Sequence, residues 1–234
     1  MRSRSIRPLG ALRALGRIRR DPSDPRAVAE LCEALDGPFF EMAFRRFRAT
    51  RVGRRVLDEE RDLLSLVADR GWLGSLPDGS LGHACARFVD REGSFRPEPG
   101  PAVGRDADGG WDSWQERERR RFSERLDDQR DLEHVVTGYG RDTAGSNALL
   151  AFGLGQQPRP GALLAVAWAC LRAGREQRRV LFAAFGRGRR AAWLPATDWE
   201  SLLALPLHDV RSLLGLGVPP PSLGGRSPGK PVAA

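Results

Sequence analysis

At 234 residues the chain has room for one sizeable domain or two small ones, and its 41% hydrophobic content is that of a globular protein with a real core. The net charge of +8 resembles a nucleic-acid signal until it is located: residues 1–20 hold seven arginines and no acid, and the 31 basic groups that remain face 30 acidic ones. A nucleic-acid-binding domain concentrates basic charge on its folded surface, so a neutral body with a basic arm argues against nucleic acid as a partner.

In chain order, the arm spaces Ile6, Leu9, Leu12, Leu15 and Ile18 every three residues among arginines. As a helix this is an apolar stripe flanked by cations, suited to lying on an anionic membrane. Pro8 and Gly10 weaken its first half, and a disordered basic tail is the alternative. The folded body is expected from about Asp21 to Gly217. Asp24-Pro25 reads as an N-cap with proline at the first helical position, opening a helix through Val28, Leu31 and Leu35 that stops at Gly37-Pro38. Phe40, Phe44 and Phe47 share one face of a second helix, Phe39 to Ala49, with Arg45, Arg46 and Arg48 on the other side. A third spans Gly53 to Ala68, and Leu76 to His83 is a turn feeding a fourth, capped by Ser80.

Gly93 to Gly110 turns to glycine, proline and charge, the composition of a loop. Trp111 to Thr137 is the longest helical candidate, ended by Gly138-Tyr-Gly140. Further helices are expected at Thr143 to Gly155, Pro160 to Ala173, Glu176 to Phe185 and Asp198 to Leu214. Residues 218–234 are proline, glycine and serine rich and read as a disordered tail. No segment alternates as a strand does. The expected architecture is a single-domain, all-α helical bundle.

Cys32, Cys85 and Cys170 are far apart and form no CxxC pair, so neither a disulfide framework nor a cysteine zinc site is supported, and a reducing compartment fits. The longest apolar run, Pro160 to Leu171, is short of the roughly 20 residues that span a bilayer. Arginines interrupt the N-terminal apolar residues, so no secretory leader is read there. Gly138 to Gly140 lacks the strand–glycine–helix context of a phosphate loop.

Several blocks now carry a resemblance. Glu30-Leu-Cys-Glu-Ala-Leu-Asp-Gly-Pro38, Gly53-Arg-Arg-Val56, Leu76-Pro-Asp-Gly-Ser-Leu-Gly-His83 and Arg130-Asp-Leu-Glu-His-Val-Val-Thr-Gly-Tyr-Gly140 stand in the order of the coenzyme Q biosynthesis protein 4 family. So does the closing Asp198-Trp-Glu with Leu205-Pro-Leu and Val210-Arg211, and the likeness runs over roughly residues 23–216. It implies a helical protein with an apolar lipid-binding groove, often homodimeric, that works in ubiquinone biosynthesis. Such a protein is expected in the cytoplasm, peripherally attached to the inner membrane. It would bind a polyprenylated quinone precursor and organise the other quinone biosynthesis enzymes. The family is also credited with oxidative decarboxylation of the prenylated hydroxybenzoate ring. Leu149, Phe152, Leu163, Leu164 and Val166 lie in segments that resemble the family's prenyl-binding helices.

The family's metal signature is His-Asp, two residues, His, eleven residues, Glu. Its positions here hold Arg130, Asp131, His134 and Ser146, so two of four match. Residues three and four apart share a helix face, and imidazole with carboxylate suits a divalent zinc or iron. Arg130, however, sets a permanent cation where a neutral ligand belongs, so such a metal is expected to be weakly bound or absent. One alternative makes Arg130 the substitute for the metal, paired with Asp127 or Asp131 and holding an anionic head such as a benzoate or phosphate. Another makes it a plain surface ion pair, with His134 at the edge of the core. His83 and His208 are expected to be structural, and Trp168 and Phe152 to serve the core.

Two functions follow. In the first, Asp131 and His134, with Arg130, are catalytic residues acting on a prenylated aromatic acid. In the second, the chain is a non-catalytic polyprenyl-lipid-binding scaffold.

Overall fold

A computed structural model describes residues 6–21, 24–59, 62–93 and 114–219. Among these residues the regular structure is helical, apart from one isolated antiparallel bridge between Ser80 and Pro206. The all-α expectation holds. The loop from Gly93 to Gly110 and the tail from 218 fall almost wholly outside the described residues, as do 1–5 of the arm and Trp111.

Helix α1 (Pro8–Arg20) is part of the folded body rather than an arm outside it. Ala11, Ala14 and Ile18 are buried, while Ile6, Leu9 and Leu12 face solvent. Arg17 ties it to the next element through Asp24 at 2.7 Å and Glu30 at 2.6 Å. Helix α2 (Pro25–Leu35) begins as expected, with the Asp24 carboxylate accepting from the Arg26 and Ala27 amides. Gly37-Pro38 is a corner rather than an interval, because proline suits the first turn of the next helix, α3 (Gly37–Ala49).

The single helix expected over 53–68 is two, α4 (Arg51–Asp58) and α5 (Leu63–Ala68), the latter capped by Asp62. A short α6 (Arg70–Ser75), capped by Asp69, lies where no element was expected. Ser80 caps α7 (Leu81–Glu92), as read from the sequence. The long candidate also divides at Gln129, into α8 (Trp114–Asp128) and α9 (Arg130–Thr137). Helices α10 (Thr143–Gln156) and α11 (Pro160–Arg172) match their segments. Helix α12 (Arg175–Arg190) runs past the expected end at Phe185, through two glycines. Pro206 splits the final stretch into α13 (Trp199–Leu202) and α14 (Leu207–Leu213). Among the described residues no helix is long and apolar enough to cross a membrane.

The glycines in α12 explain its length. A Cβ at Gly188 would stand 2.0 Å from the Phe152 carbonyl oxygen, and one at Gly155 would stand 2.2 Å from that of Phe185. Helices α10 and α12 therefore touch backbone to backbone. Around this pair the main core gathers Leu132, Val136, Phe152, Leu181 and Trp199. A second cluster joins α1 and α2 to Ala165 of α11. In a third, the predicted phenylalanine face of α3 closes on Phe122 of α8, with ring centroids 4.7–5.9 Å apart. Helix α9 lies between the first and third clusters and carries the residues of interest.

Candidate functional site

Helix α9 is short and held at both ends. Gly138 ends it in the left-handed region (φ +78°), its amide donating to the His134 carbonyl. The last carbonyls, which no helical amide reaches, accept from two arginines. Arg211 donates to Val135 and Val136, each at 2.9 Å, and Arg187 donates to Thr137 at 3.1 Å. At the other end Gln129 is fixed by the Trp199 indole, whose N–H donates to the amide oxygen at 3.1 Å.

The helix then presents two polar faces about 100° apart. On one, Asp131 and His134 are each only 5% exposed and lie under α7. The Phe88 ring stacks on His134 with centroids 5.8 Å apart. His134 Nδ1 sits 2.9 Å from the Tyr139 carbonyl, so it carries the proton and leaves Nε2 bare. Burial, with Arg130 and Arg141 adding to it, pushes the imidazole down to about 4, so the ring is neutral. Asp131 is paired with Arg141 at 3.2 Å. Burial raises its carboxyl above the usual range, and the guanidinia of Arg141 and Arg130 oppose that rise.

On the other face, Arg130 and Glu133 line a cavity of about 110 Å³ between α3, α8, α9 and α10. Phe39, Phe40, Leu126 and Phe152 supply its apolar wall, and Gln156 and Arg159 extend its polar side. Arg130 is exposed and makes no hydrogen bond or ion pair within 4 Å among the described residues. Arg159 is committed: its Nε donates to Asp36 at 3.1 Å, while the other Asp36 oxygen accepts from the Gly161 amide at 2.7 Å. Burial pushes Glu133 up to about 7, against Arg130, a hydrogen bond from Gln129, and Arg159.

The residues anticipated from the sequence are thus only partly together. Asp131 and His134 share a buried face, and Ser146 joins them indirectly, its hydroxyl donating to the Arg141 carbonyl at 3.1 Å. Arg130 looks into the cavity instead. Of the five apolar positions, Phe152 lines the cavity, while Leu149 is buried and Val166 packs against the main core. Leu163 and Leu164 are 58% and 42% exposed, on the outer face of α11. Gln129 and Arg141 did not stand out in the sequence, and Glu133 stood out only as a carboxylate turned about 100° from the ligand face. The available signal for Gln129 was its spacing of four from Glu133, which it reaches at 2.8 Å.

A divalent metal fits this donor set poorly. The bare Nε2 of His134 suits a ligand, since a carbonyl fixes the other nitrogen. Asp131 is occupied by a guanidinium, Ser146 bonds elsewhere, and Arg130 is a cation facing away. Zinc sites take three or four protein ligands, and among the described residues no group of three His, Cys, Asp or Glu side chains is placed to hold a metal.

Known proteins agree with this geometry at the level of fold and family. A solved structure from Nostoc punctiforme, provisionally described as a ubiquinone biosynthesis protein, superposes with a TM-score of 0.61 at 19% identity, over 90% of this chain and 96% of that one. It shares the fold. Ubiquinone biosynthesis protein coq4, mitochondrial, of Talaromyces stipitatus is 29% identical over 82% of this chain. The Pyricularia oryzae counterpart is 30% identical over 86% of it. The chain spans 66% and 65% of the length of those two relatives. The family model for the coenzyme Q (ubiquinone) biosynthesis protein Coq4 matches residues 9–220, and this chain belongs to that family.

Proposed function

We propose that the chain binds a polyprenylated aromatic acid, a ubiquinone precursor, and presents its ring to partner enzymes, as the scaffold reading has it. The observation that carries this is the α9 cavity, where the Arg130 guanidinium, unpaired among the described residues, shares the lining with Phe39, Phe40, Leu126 and Phe152. A charge-assisted bond to a carboxylate and an apolar wall for a ring are the two elements such a head group requires. The oxidative decarboxylation that the resemblance implies would draw on Asp131 and His134, which lie on the other face of α9 from this cavity, with Asp131 Oδ1 engaged by Arg141 and His134 Nδ1 by Tyr139. Binding without chemistry is therefore the better-supported role.

The isoprenoid tail calls for a bilayer, and the outer face of α11 and α12 suits one. Leu163, Leu164, Leu171 and Phe182 are exposed there, among the exposed Arg172, Arg175 and Arg179. Apolar groups ringed by arginine match an anionic, peripherally contacted membrane surface.

The test uses Gly153, which lines the cavity and whose added Cβ meets nothing within 4 Å. Gly153→Phe fills the cavity from an open position on α10. Mass spectrometry of lipid copurifying with the full chain is expected to find a prenylated aromatic acid with the wild type and none with Gly153→Phe. A prenylated species retained equally by both would remove the cavity from the function.

A further inference from the structure

The stretch from Arg45 to Arg55 holds six arginines and no acid. Two of them serve the fold as ion pairs, Arg55 with Asp198 at 3.2 Å and Arg48 with Glu118 at 3.6 Å. Arg54 donates to the Ala49 carbonyl at 3.1 Å, which leaves its charge unneutralised. Arg45, Arg46 and Arg51 are exposed and reach no carboxylate within 4 Å among the described residues. Arg51 opens α4, where a cation opposes the positive end of the helix dipole. Helix stability gives no reason for a cation at that position.

Arg46 also belongs to a recess. Its guanidinium carbon stands 4.1 Å from the centroid of the Trp193 ring, and the indole N–H is itself fixed on Gln157 at 3.3 Å. Stacking on the indole face orients the planar cation and leaves its N–H edge for a carboxylate. Arg46 and Trp193 line an open groove of about 450 Å³ between α3, α13 and α14, a volume within the usual range of binding pockets. Leu202 and Leu213 give it apolar surface, Leu213 being 66% exposed, and Thr50 and Ser201 add hydroxyls. The carboxylate in the lining, Asp198, is neutralised by Arg55. Arg51 follows Thr50 directly, so the uncompensated positive charge continues along the edge.

We propose that this groove docks an acidic segment of a partner protein, with an apolar side chain resting on Leu202 and Leu213 while a neighbouring carboxylate pairs with Arg46. Clustered arginines are the chemistry that recognises acidic motifs, and those at the edge steer the segment in. A bilayer meets residues that project, such as the exposed leucines of α11, whereas a recess with an oriented cation receives a single side chain. The surface serves the partner-presenting half of the function proposed above, on which it rests, and makes no use of the α9 cavity.

The test is selection of a display library of random peptides on the full-length protein. Recovered peptides are expected to be acidic and to carry a large apolar residue. A recovered peptide labelled with fluorescein is expected to bind Arg46→Glu at least about tenfold more weakly than the wild type, and Leu213→Ser about three- to tenfold more weakly. Both positions are exposed, so neither change disturbs the core. Arg13→Glu makes the same charge change on the exposed side of α1 and is expected to bind within about twofold of the wild type. Peptides without an acidic bias, a peptide that binds Arg46→Glu as well as the wild type, or equal losses in Arg46→Glu and Arg13→Glu would each overturn the proposal. So would recovery of no peptide, and if phosphatidylglycerol vesicles then bind Arg46→Glu more weakly than Arg13→Glu, the groove belongs to a membrane contact instead. In each of these cases, a prenylated aromatic acid that copurifies with the wild type and not with Gly153→Phe leaves lipid binding standing, and only the docking surface falls.

Discussion

The Asp131 carboxylate and the Arg141 guanidinium stand 3.2 Å apart across the glycine turn that ends α9. Arg141 also accepts the Ser146 hydroxyl at its carbonyl, and the His134 ring is bonded to the carbonyl two residues before it. The residues at three of the four family ligand positions therefore converge on the segment Tyr139 to Arg141. Removing Arg141 leaves a buried carboxylate without its cation. Arg141→Met is expected to lower stability by about 1–3 kcal/mol in urea unfolding, a range set below a fully buried pair because Arg141 is partly exposed. Asp131→Asn in the same chain is expected to recover much of that loss. Additive losses in the double variant would show that the pair is not coupled.

The same arrangement predicts a response to metal. Chelation of the wild type by EDTA is expected to leave its Tm unchanged within about 1 °C, because Arg141 occupies Asp131 and Arg130 stands where a ligand belongs. Arg130→His together with Ser146→Glu rebuilds the family donor set beside Asp131 and His134. With zinc at a hundredfold excess over its Kd, that variant gains about 2.7 kcal/mol, an upward Tm shift of about 5–10 °C. A zinc-dependent Tm in the wild type, abolished by His134→Ala, would restore the metal to the native protein.

His134 and Glu133 pull stability in opposite directions with pH. Burial lowers the imidazole to about 4 in the folded chain, below its ordinary value of 6.5. The unfolded chain therefore binds the extra proton first, and stability is lost as pH falls from about 6.5 toward 4, by on the order of 3 kcal/mol. Glu133 is raised by burial from 4.5 to about 7, so its contribution is full below 4.5 and is lost as pH rises through 7. His134→Phe is expected to flatten the acid limb of a chemical-denaturation profile, and Glu133→Gln the neutral one. If both variants parallel the wild type from pH 4 to 8, burial of these groups carries no cost.

Much of the fold could be read before any coordinates because local signals agreed with the tertiary result. Asp24-Pro25 and Ser80 start helices as expected, and the Phe40, Phe44 and Phe47 stripe meets one partner, Phe122. The failures share a cause: glycine, proline and aspartate have more than one use. Gly37-Pro38 opens a helix instead of closing one, Asp62 and Asp69 restart helices inside apparently continuous patterns, and Gly186 and Gly188 sit inside α12. The site was half visible. Spacing put Asp131 and His134 on one face, but only packing assigns Arg141 to Asp131 and turns Arg130 and Glu133 into the cavity.

The glycines of α10 and α12 separate these uses by experiment. At Gly188 a methyl group would meet the Phe152 backbone at 2.0 Å, with no flexible side chain to yield. Gly188→Ala is expected to cost about 3 kcal/mol or more, at the upper end of overpacking. At Gly153 the space is open, and Gly153→Ala is expected to stabilise by about 0.5–1 kcal/mol through helix propensity alone. Equal effects at the two sites would contradict the close crossing of α10 and α12.

Helix α1 supplies a further contrast, between a basic arm and a structural element. Its buried face, Ala11, Ala14 and Ile18, covers Ala27, Leu31 and Ala34 of α2 and reaches Ala165 of α11. Its basic residues bind the protein as well, Arg7 through Glu33 at 2.6 Å and Arg17 through Asp24 and Glu30. Exposed ion pairs contribute little, so the apolar contact dominates. Deleting residues 1–20 uncovers that surface and is expected to cost roughly 2–4 kcal/mol, about the burial of one isoleucine with two alanines. A membrane assay on the truncated chain would then report a loosened fold as much as a missing arm. Leu9→Glu with Leu12→Glu changes only residues that already face solvent, and is expected to leave urea unfolding within about 0.5 kcal/mol of the wild type. If the deletion proves equally silent, α1 is attached to the body without stabilising it.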